Sequence, residues 1–286
     1  LPFYDIQPNF VAFGPVKKRP AMRKTSRKSA GSPVYRPIMD DAPRPVAAKA
    51  IPEPDGHVIP LHVHKRGQLL HAISGIMRIE TTDFVWILPP ARALWMPPNA
   101  AHQVTMRGHV EMRTLYIDPA ACEALPREPV LVEISGLLRE LILAALEEPA
   151  DYQANERGGH VADLILIELA RLRQQRMDLP MPRDARALKV TRALLERADI
   201  DLDLDGFAAR AGASRRTLAR LFRSETGLSF AEWRARLRAI DGLARLASGQ
   251  SVAQAARAVG YASPSAFTAM IRRDLGKAPR TLMQSA

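Results

Sequence analysis

Apolar and polar positions change rhythm along this chain. Between residues 51 and 118 the apolar residues come in short runs, "LLHAIS", "IMRIET", "DFVWIL", "ALWMP" and "EMRTLYI", rich in β-branched or aromatic side chains and broken by Pro, Gly and Asn. Such runs at regular spacing predict the strands of a barrel or sandwich. From about residue 130 the spacing becomes helical. "LVEISGLLRELILAALEE" sets Ile134, Leu137, Leu138, Leu141, Ile142 and Leu146 on one stripe, and "VADLILIELARLRQQ" gives another after the turn "PADYQANERGGH". This predicts a helical hairpin over 128–177. Its first stripe is wide enough to serve its own core or a partner chain. "DLPMPRD", residues 178–184, reads as a linker because of its two prolines. Beyond it only helical periodicity remains.

Two helix-turn-helix patterns stand in the last hundred residues. In "GFAARAGASRRTLARLF", Ala208 is small where helices cross, Gly212 suits a turn with positive φ, and Ser214 can cap the next helix. Phe207, Ala211, Leu218 and Leu221 supply the packing. Arg215, Arg216, Ala219 and Arg220 remain on the outer face of the second helix, with Arg223 following, and that helix enters the major groove in this motif. "SVAQAARAVGYASPSAF" repeats the design with Ala256, a turn at Gly260, a cap at Ser263 and Pro264 at the first helical position. The intervening "SFAEWRARLRAIDGLARLAS" is helical. A helix of about 20 residues spans about 30 Å, close to the roughly 34 Å between successive major-groove faces.

Charge supports a polyanionic partner. The 286 residues carry a formal net charge of +11. Residues 1–50 hold +7 and residues 183–286 hold +9, so the centre is mildly acidic. Residues 1–50, rich in Pro, Lys, Arg and Ser, are expected to be a disordered tail that adds at most non-specific DNA affinity. The single Cys122 excludes an internal disulfide and a cysteine-rich zinc module, and reads as a bystander thiol that fits a reducing cytoplasm. No apolar run has the roughly 18 residues of a membrane span, and no convincing signal peptide opens the chain.

The segments "FRSETGLSFAEWRARLR", "LASGQSVAQAARAVGYASPSAF" and "RRDLGKAPR" resemble the DNA-binding domain of the AraC/XylS family of bacterial transcription regulators, over about residues 185–286. The element from Gly260 to Phe267 is the most specific part. The resemblance implies that Ser214, Arg215, Arg216, Ala219, Arg220, Arg223, Ser263, Ser265, Thr268, Arg272, Arg273 and Lys277 face promoter DNA. The family's usual basic residue two positions after the Phe is here Ala269, while the matched Arg220 of the first motif is present. The second motif is therefore expected chiefly to hold the backbone.

His62 and His64 fall two apart, hence on one face of a strand. The stretch resembles the cupin signature: Gly56, His62-x-His64, a Glu position occupied by Gln68, and Gly75. "MPPNAAH" resembles the second cupin motif, with Pro97 and His102 in place and Asn99 where Gly is usual. The resemblance implies a small β-barrel over 51–120 that acts as sensor, with His62, His64, Gln68 and His102 meeting inside it. Three imidazoles and an amide oxygen suit a divalent ion such as Zn, Ni or Fe, or hydrogen bonds to an organic effector. Gln in place of Glu removes an anionic ligand. Histidines of ordinary pKa would lose a metal below about pH 6. Trp86, Trp95 and Tyr116 read as core or pocket wall, His71 and His109 as lone histidines. The expected fold is thus a cupin-like β-barrel, a helical hairpin that couples and dimerises, and an all-α double helix-turn-helix domain. The expected function is a cytoplasmic transcription regulator with promoter DNA, a small-molecule or metal effector, a second copy and RNA polymerase as partners. A metal-dependent cupin enzyme and an effector-independent DNA-binding protein are the alternatives.

Overall fold

The structure, a computed structural model, describes residues 34–35, 39–90, 92–175 and 177–275. The first 33 residues of the expected tail, and Lys277, lie outside the described residues. The strands are β1 (Val34–Tyr35), β2 (Val46–Glu53), β3 (Val58–Val63), β4 (Gly67–Ala72), β5 (Ile76–Glu80), β6 (Phe84–Leu88), β7 (Arg92–Met96), β8 (His102–Arg107), β9 (Val110–Ile117) and β10 (Val130–Glu133). Helices α1 (Gly136–Glu147) and α2 (Arg157–Ala170) form the hairpin, followed by β11 (Gln174–Gln175) and β12 (Leu179–Pro180). The rest is α3 (Ala185–Glu196), α4 (Leu204–Ala211), α5 (Arg215–Thr226), α6 (Phe230–Ala247), α7 (Val252–Ala258) and α8 (Pro264–Leu275).

The strands make two six-stranded sheets, β1-β3-β8-β5-β6-β12 and β11-β10-β7-β4-β9-β2. Strand alternation sends Leu70, Met77, Ile79, Trp86, Leu88, Leu94, Met106 and Met112 into the space between them. The expected barrel is therefore an open sandwich. Two-residue strands end three of the four sheet edges, so no ladder joins one sheet to the other among the described residues.

Both outer faces are also covered in part. Leu69, Trp95, Leu115 and Ile117 of the second sheet share an apolar cluster with Leu138, Ile142, Ile165 and Leu169 of the hairpin. Ile76, Val85 and Ile87 of the first sheet share one with Trp233, Leu237 and Ile240 of α6. Burial on both faces explains why β4 is buried at every position, Gln68 and His71 included.

Two boundaries and one packing face differ from the expected ones. β2 starts at Val46, inside the segment assigned to the tail. Arg66 donates to the Ala42 and Arg44 carbonyls at 2.5 and 2.9 Å, and such backbone anchoring leaves no mark in composition. The linker 178–184 contains β12, which pairs with β6 at that sheet's edge, where proline is tolerated. Trp233 Nε1 donates to the Pro180 carbonyl at 2.7 Å and ties this strand to α6. Finally, Leu138, Leu141 and Ile142 of the hairpin stripe are buried within the chain, whereas Leu137 is 53% exposed.

Candidate functional site

His62 and His102 are direct cross-strand partners on β3 and β8. His64 follows on the same face, just past the end of β3. The ring centroids lie 4.8 Å (His62–His64), 4.3 Å (His62–His102) and 5.7 Å (His64–His102) apart, and one ligand atom from each histidine lies within 4.8 Å of the others. All three residues are 1–3% exposed. His62 Nδ1 faces the Pro60 carbonyl at 2.7 Å and His102 Nδ1 that of Ala100 at 2.9 Å. A carbonyl only accepts, so each Nδ1 carries the proton and each Nε2 keeps its lone pair. His102 Nε2 is buried without a hydrogen-bond partner. Asn99 takes a left-handed φ of 62° and its N–H donates to the His64 carbonyl at 2.9 Å. Asn tolerates that region better than most residues, which accounts for Asn where the cupin motif has Gly.

The second sheet supplies the opposite wall. Gln68 pairs in register with Tyr116 across β4 and β9. Its Nε2 donates to Thr114 Oγ1 at 3.1 Å and to Tyr116 Oη at 3.2 Å, while its Oε1 is buried without a partner. The Tyr116 ring stands edge-on to His64, centroids 5.4 Å apart. Tyr116, read from sequence as core or wall, therefore lines the cluster. Thr114 was not foreseen. Two-residue alternation from Tyr116 was the signal that marks it.

Burial, first, and the neighbouring rings of His62 and His64 push the His102 pKa down to about 3, against the raising effect of the Ala100 carbonyl. The loss of a metal below about pH 6, expected of histidines with ordinary pKa, does not extend to His102, because burial disfavours its charged form. The donor set fits a borderline divalent ion. The carbonyl contacts fix two rings with Nε2 presented, the arrangement that metal-bound histidines need. Gln68 would add only a neutral oxygen, so a bound dication would keep its charge uncompensated by the protein. The same lone pairs accept hydrogen bonds from an organic ligand equally well.

The other groups stay apart from this cluster. His71 points to the opposite face of β4, with Nδ1 at 3.1 Å from the Arg92 carbonyl, and burial lowers its pKa. His109 is exposed and pairs with Glu111. Trp86 and Trp95 are core residues. Half-burial, first, raises the Cys122 pKa to about 11, as expected of a bystander thiol.

At the other end of the chain the two motifs form as read. Gly212 ends α4 with φ 67°, and Ser214 caps α5 by accepting from the Thr217 N–H at 3.1 Å. Arg215, Arg216, Ala219, Arg220 and Arg223 are all exposed. Arg215 pairs with Asp205 at 2.5 Å and Arg223 with Glu232 at 3.4 Å, whereas Arg216 and Arg220 form no ion pair with the described residues. In the second motif Ser263 accepts from the Ala266 N–H at 3.2 Å and Pro264 opens α8. Ser265, Ala269, Arg272 and Arg273 are exposed and Thr268 half-buried.

Two helix-turn-helix motifs on one connecting helix, behind a sandwich with a buried histidine cluster, define a regulator that joins a second domain to a DNA-binding domain in one chain. Residues 207–285 match the helix-turn-helix domain family and residues 50–198 the AraC-like ligand-binding domain family, and the chain belongs to the AraC family of transcriptional regulators. It is 31% identical to the HTH-type transcriptional regulator NimR of Escherichia coli over 221 residues, 77% of this chain and 80% of that protein. It is 39% identical to the HTH-type transcriptional regulator RipA of Corynebacterium glutamicum over 117 residues, 40% of this chain and 35% of that one. Among solved structures it is similar to the DNA-binding domain of AdpA in complex with a target DNA, 35% identical over 36% of this chain and 93% of that one, with a TM-score of 0.33.

Proposed function

We propose that the cluster of His62, His64, His102 and Gln68 is the effector site of this regulator, and that its occupation by a small molecule or a divalent ion changes promoter binding. The observation that carries the reading is a buried group of three histidines in which His102 Nε2 and the Oε1 of Gln68 are buried without a hydrogen-bond partner, inside the ligand-binding domain of a transcription regulator. Buried polar atoms without partners are costly, so they are rare unless a ligand satisfies them. The test is a thermal-shift screen of the full chain against divalent ions and small molecules. A bound species raises the melting temperature by mass action. Stabilisation that vanishes in His64→Ala supports the reading, and stabilisation that survives it places the ligand elsewhere.

On the DNA side, Arg216 and Arg220 read base edges in the major groove. Ser214, Arg215, Ala219, Arg223, Ser263, Ser265, Thr268, Arg272, Arg273 and Lys277 position the backbone or flank the reading surface. No described helix is long and apolar enough to cross a membrane. Action on promoters would place the protein in the cytoplasm with RNA polymerase as a further partner. The protein acts as a homodimer through the hairpin's outer face, where Leu137, Leu143, Leu164 and Ile167 are exposed, rather than through the buried Leu138, Leu141 and Ile142. Sedimentation should give a dimer at micromolar concentration, and Leu137→Glu with Ile167→Glu a monomer. A wild-type monomer with full operator affinity would contradict this.

A further inference from the structure

One strand and two contacts link the histidine cluster to the second recognition helix. His102 opens β8 and Arg107 closes it, so both ride one strand, about 17 Å apart at about 3.3 Å per residue. Arg107 Nη1 donates to Oδ1 of Asp241 in α6. Asp241 is only 2% exposed, and its other oxygen accepts from Arg245 Nε at 3.2 Å, one turn further along. The next residue, Gly242, lets α8 approach the α6 backbone. A Cβ there would lie 2.5 Å from Phe267 Cε2, and Phe267 is the fully buried anchor of α8.

We propose that this route carries the state of the histidine cluster to α8, with the Arg107–Asp241 pair as a latch. The inference rests on the effector-site reading above. Two features suit a latch. Asp241 keeps Arg245 when Arg107 leaves, so release does not strand a buried charge. Arg107 is itself 30% exposed and is rehydrated on release. The exposed faces of α5 and α8 remain in solvent while the sensor is docked, so docking does not work by covering them. Its grip on α6, the helix that joins the motifs, sets the seat of α8 relative to α5. The remaining sheet contacts hold the domains together while the latch changes: Arg78 donates to the Leu195 carbonyl at 3.1 Å and to Glu196 at 2.8 Å.

Coupling between two sites is reciprocal, so DNA must also act on the cluster. The experiment is hydrogen exchange on the full chain, alone and bound to DNA that the wild type enriches from a random-sequence pool. In the wild type, DNA should change exchange of the β8 amides, residues 103–107, at least threefold. In Arg107→Ala the change should stop at α6. Arg107→Gln, similar in length but uncharged, should behave the same if the alanine variant folds poorly, and Arg107→Lys should restore part of the β8 response. A wild-type β8 that ignores DNA, or a β8 response that persists without the Arg107 charge, overturns the latch. If Zn or Ni binds the cluster and shifts operator affinity equally in wild type and Arg107→Ala, the effector site stands and the route fails.

Discussion

The three histidines of the ligand-binding domain are shut away from water, and burial keeps His102 uncharged. Arg216 and Arg220 of α5 stand in solvent, outside any ion pair with the described residues. The first site has desolvated lone pairs held by backbone carbonyls, and it suits a ligand selected by fit and coordination. The second has exposed positive charge on a helix, and it suits a polyanion met at long range. Two such sites in one chain should answer to different variables: the histidine cluster to protons and ligands, the helix to salt and base sequence.

Arg220→Ala sharpens that contrast most. A bidentate contact to a guanine edge is worth about 1–3 kcal/mol, so affinity for the enriched DNA should fall by about that much, and far less on random DNA. Equal loss on both in an anisotropy titration would make Arg220 a phosphate contact.

The pH response is the next effect. His102 takes up its proton near 6.5 in the unfolded chain and only near 3 in the folded protein. Between those limits the unfolded state binds more protons, so the His102 contribution is fully present above about pH 6.5. It is lost as pH falls, by up to about 1.4 kcal/mol per unit. Urea unfolding of wild type and His102→Gln at pH 7 and 5 checks this. The wild type should lose about 2 kcal/mol more than the variant, and parallel losses would show that His102 is not held neutral.

The smallest effects belong to the second motif. Without a basic residue at Ala269, α8 should contribute chiefly phosphate contacts from Arg272 and Arg273. Arg272→Ala should lower affinity nearly equally on all sequences and reduce the salt slope by about 1. A base-substitution scan with equal or greater losses under α8 than under α5 would reverse the assignment.

Much of this architecture is legible in the sequence. The strands "LLHAIS" to "EMRTLYI", both hairpin helices and both turn glycines follow from periodicity and punctuation. His62 and His64 follow from two-residue alternation, and His102 from the resemblance to the second cupin motif. The rest depends on contacts remote in sequence. "DLPMPRD" looks like a linker because its prolines do, yet its backbone pairs with β6 and seats Trp233. The start of β2 depends on Arg66 gripping carbonyls more than twenty residues away. Thr114 matters only because β9 lies beside β4, and Arg107 meets Asp241 across 134 positions. Local patterns report which face a residue takes; they do not report which surface that face will meet.

The central claim is that the histidine cluster governs DNA binding from a distance. Its most direct test is operator affinity, by anisotropy on the enriched DNA, for wild type and His64→Ala, with and without the ions and small molecules that stabilise the wild type. The account predicts at least a fivefold shift on adding such a species to the wild type, and no shift in His64→Ala, whose ligand-free affinity should stay within about twofold of wild type because α5 and α8 lie in another domain. A shift of the same size in His64→Ala would contradict it and move the signal to another part of the chain.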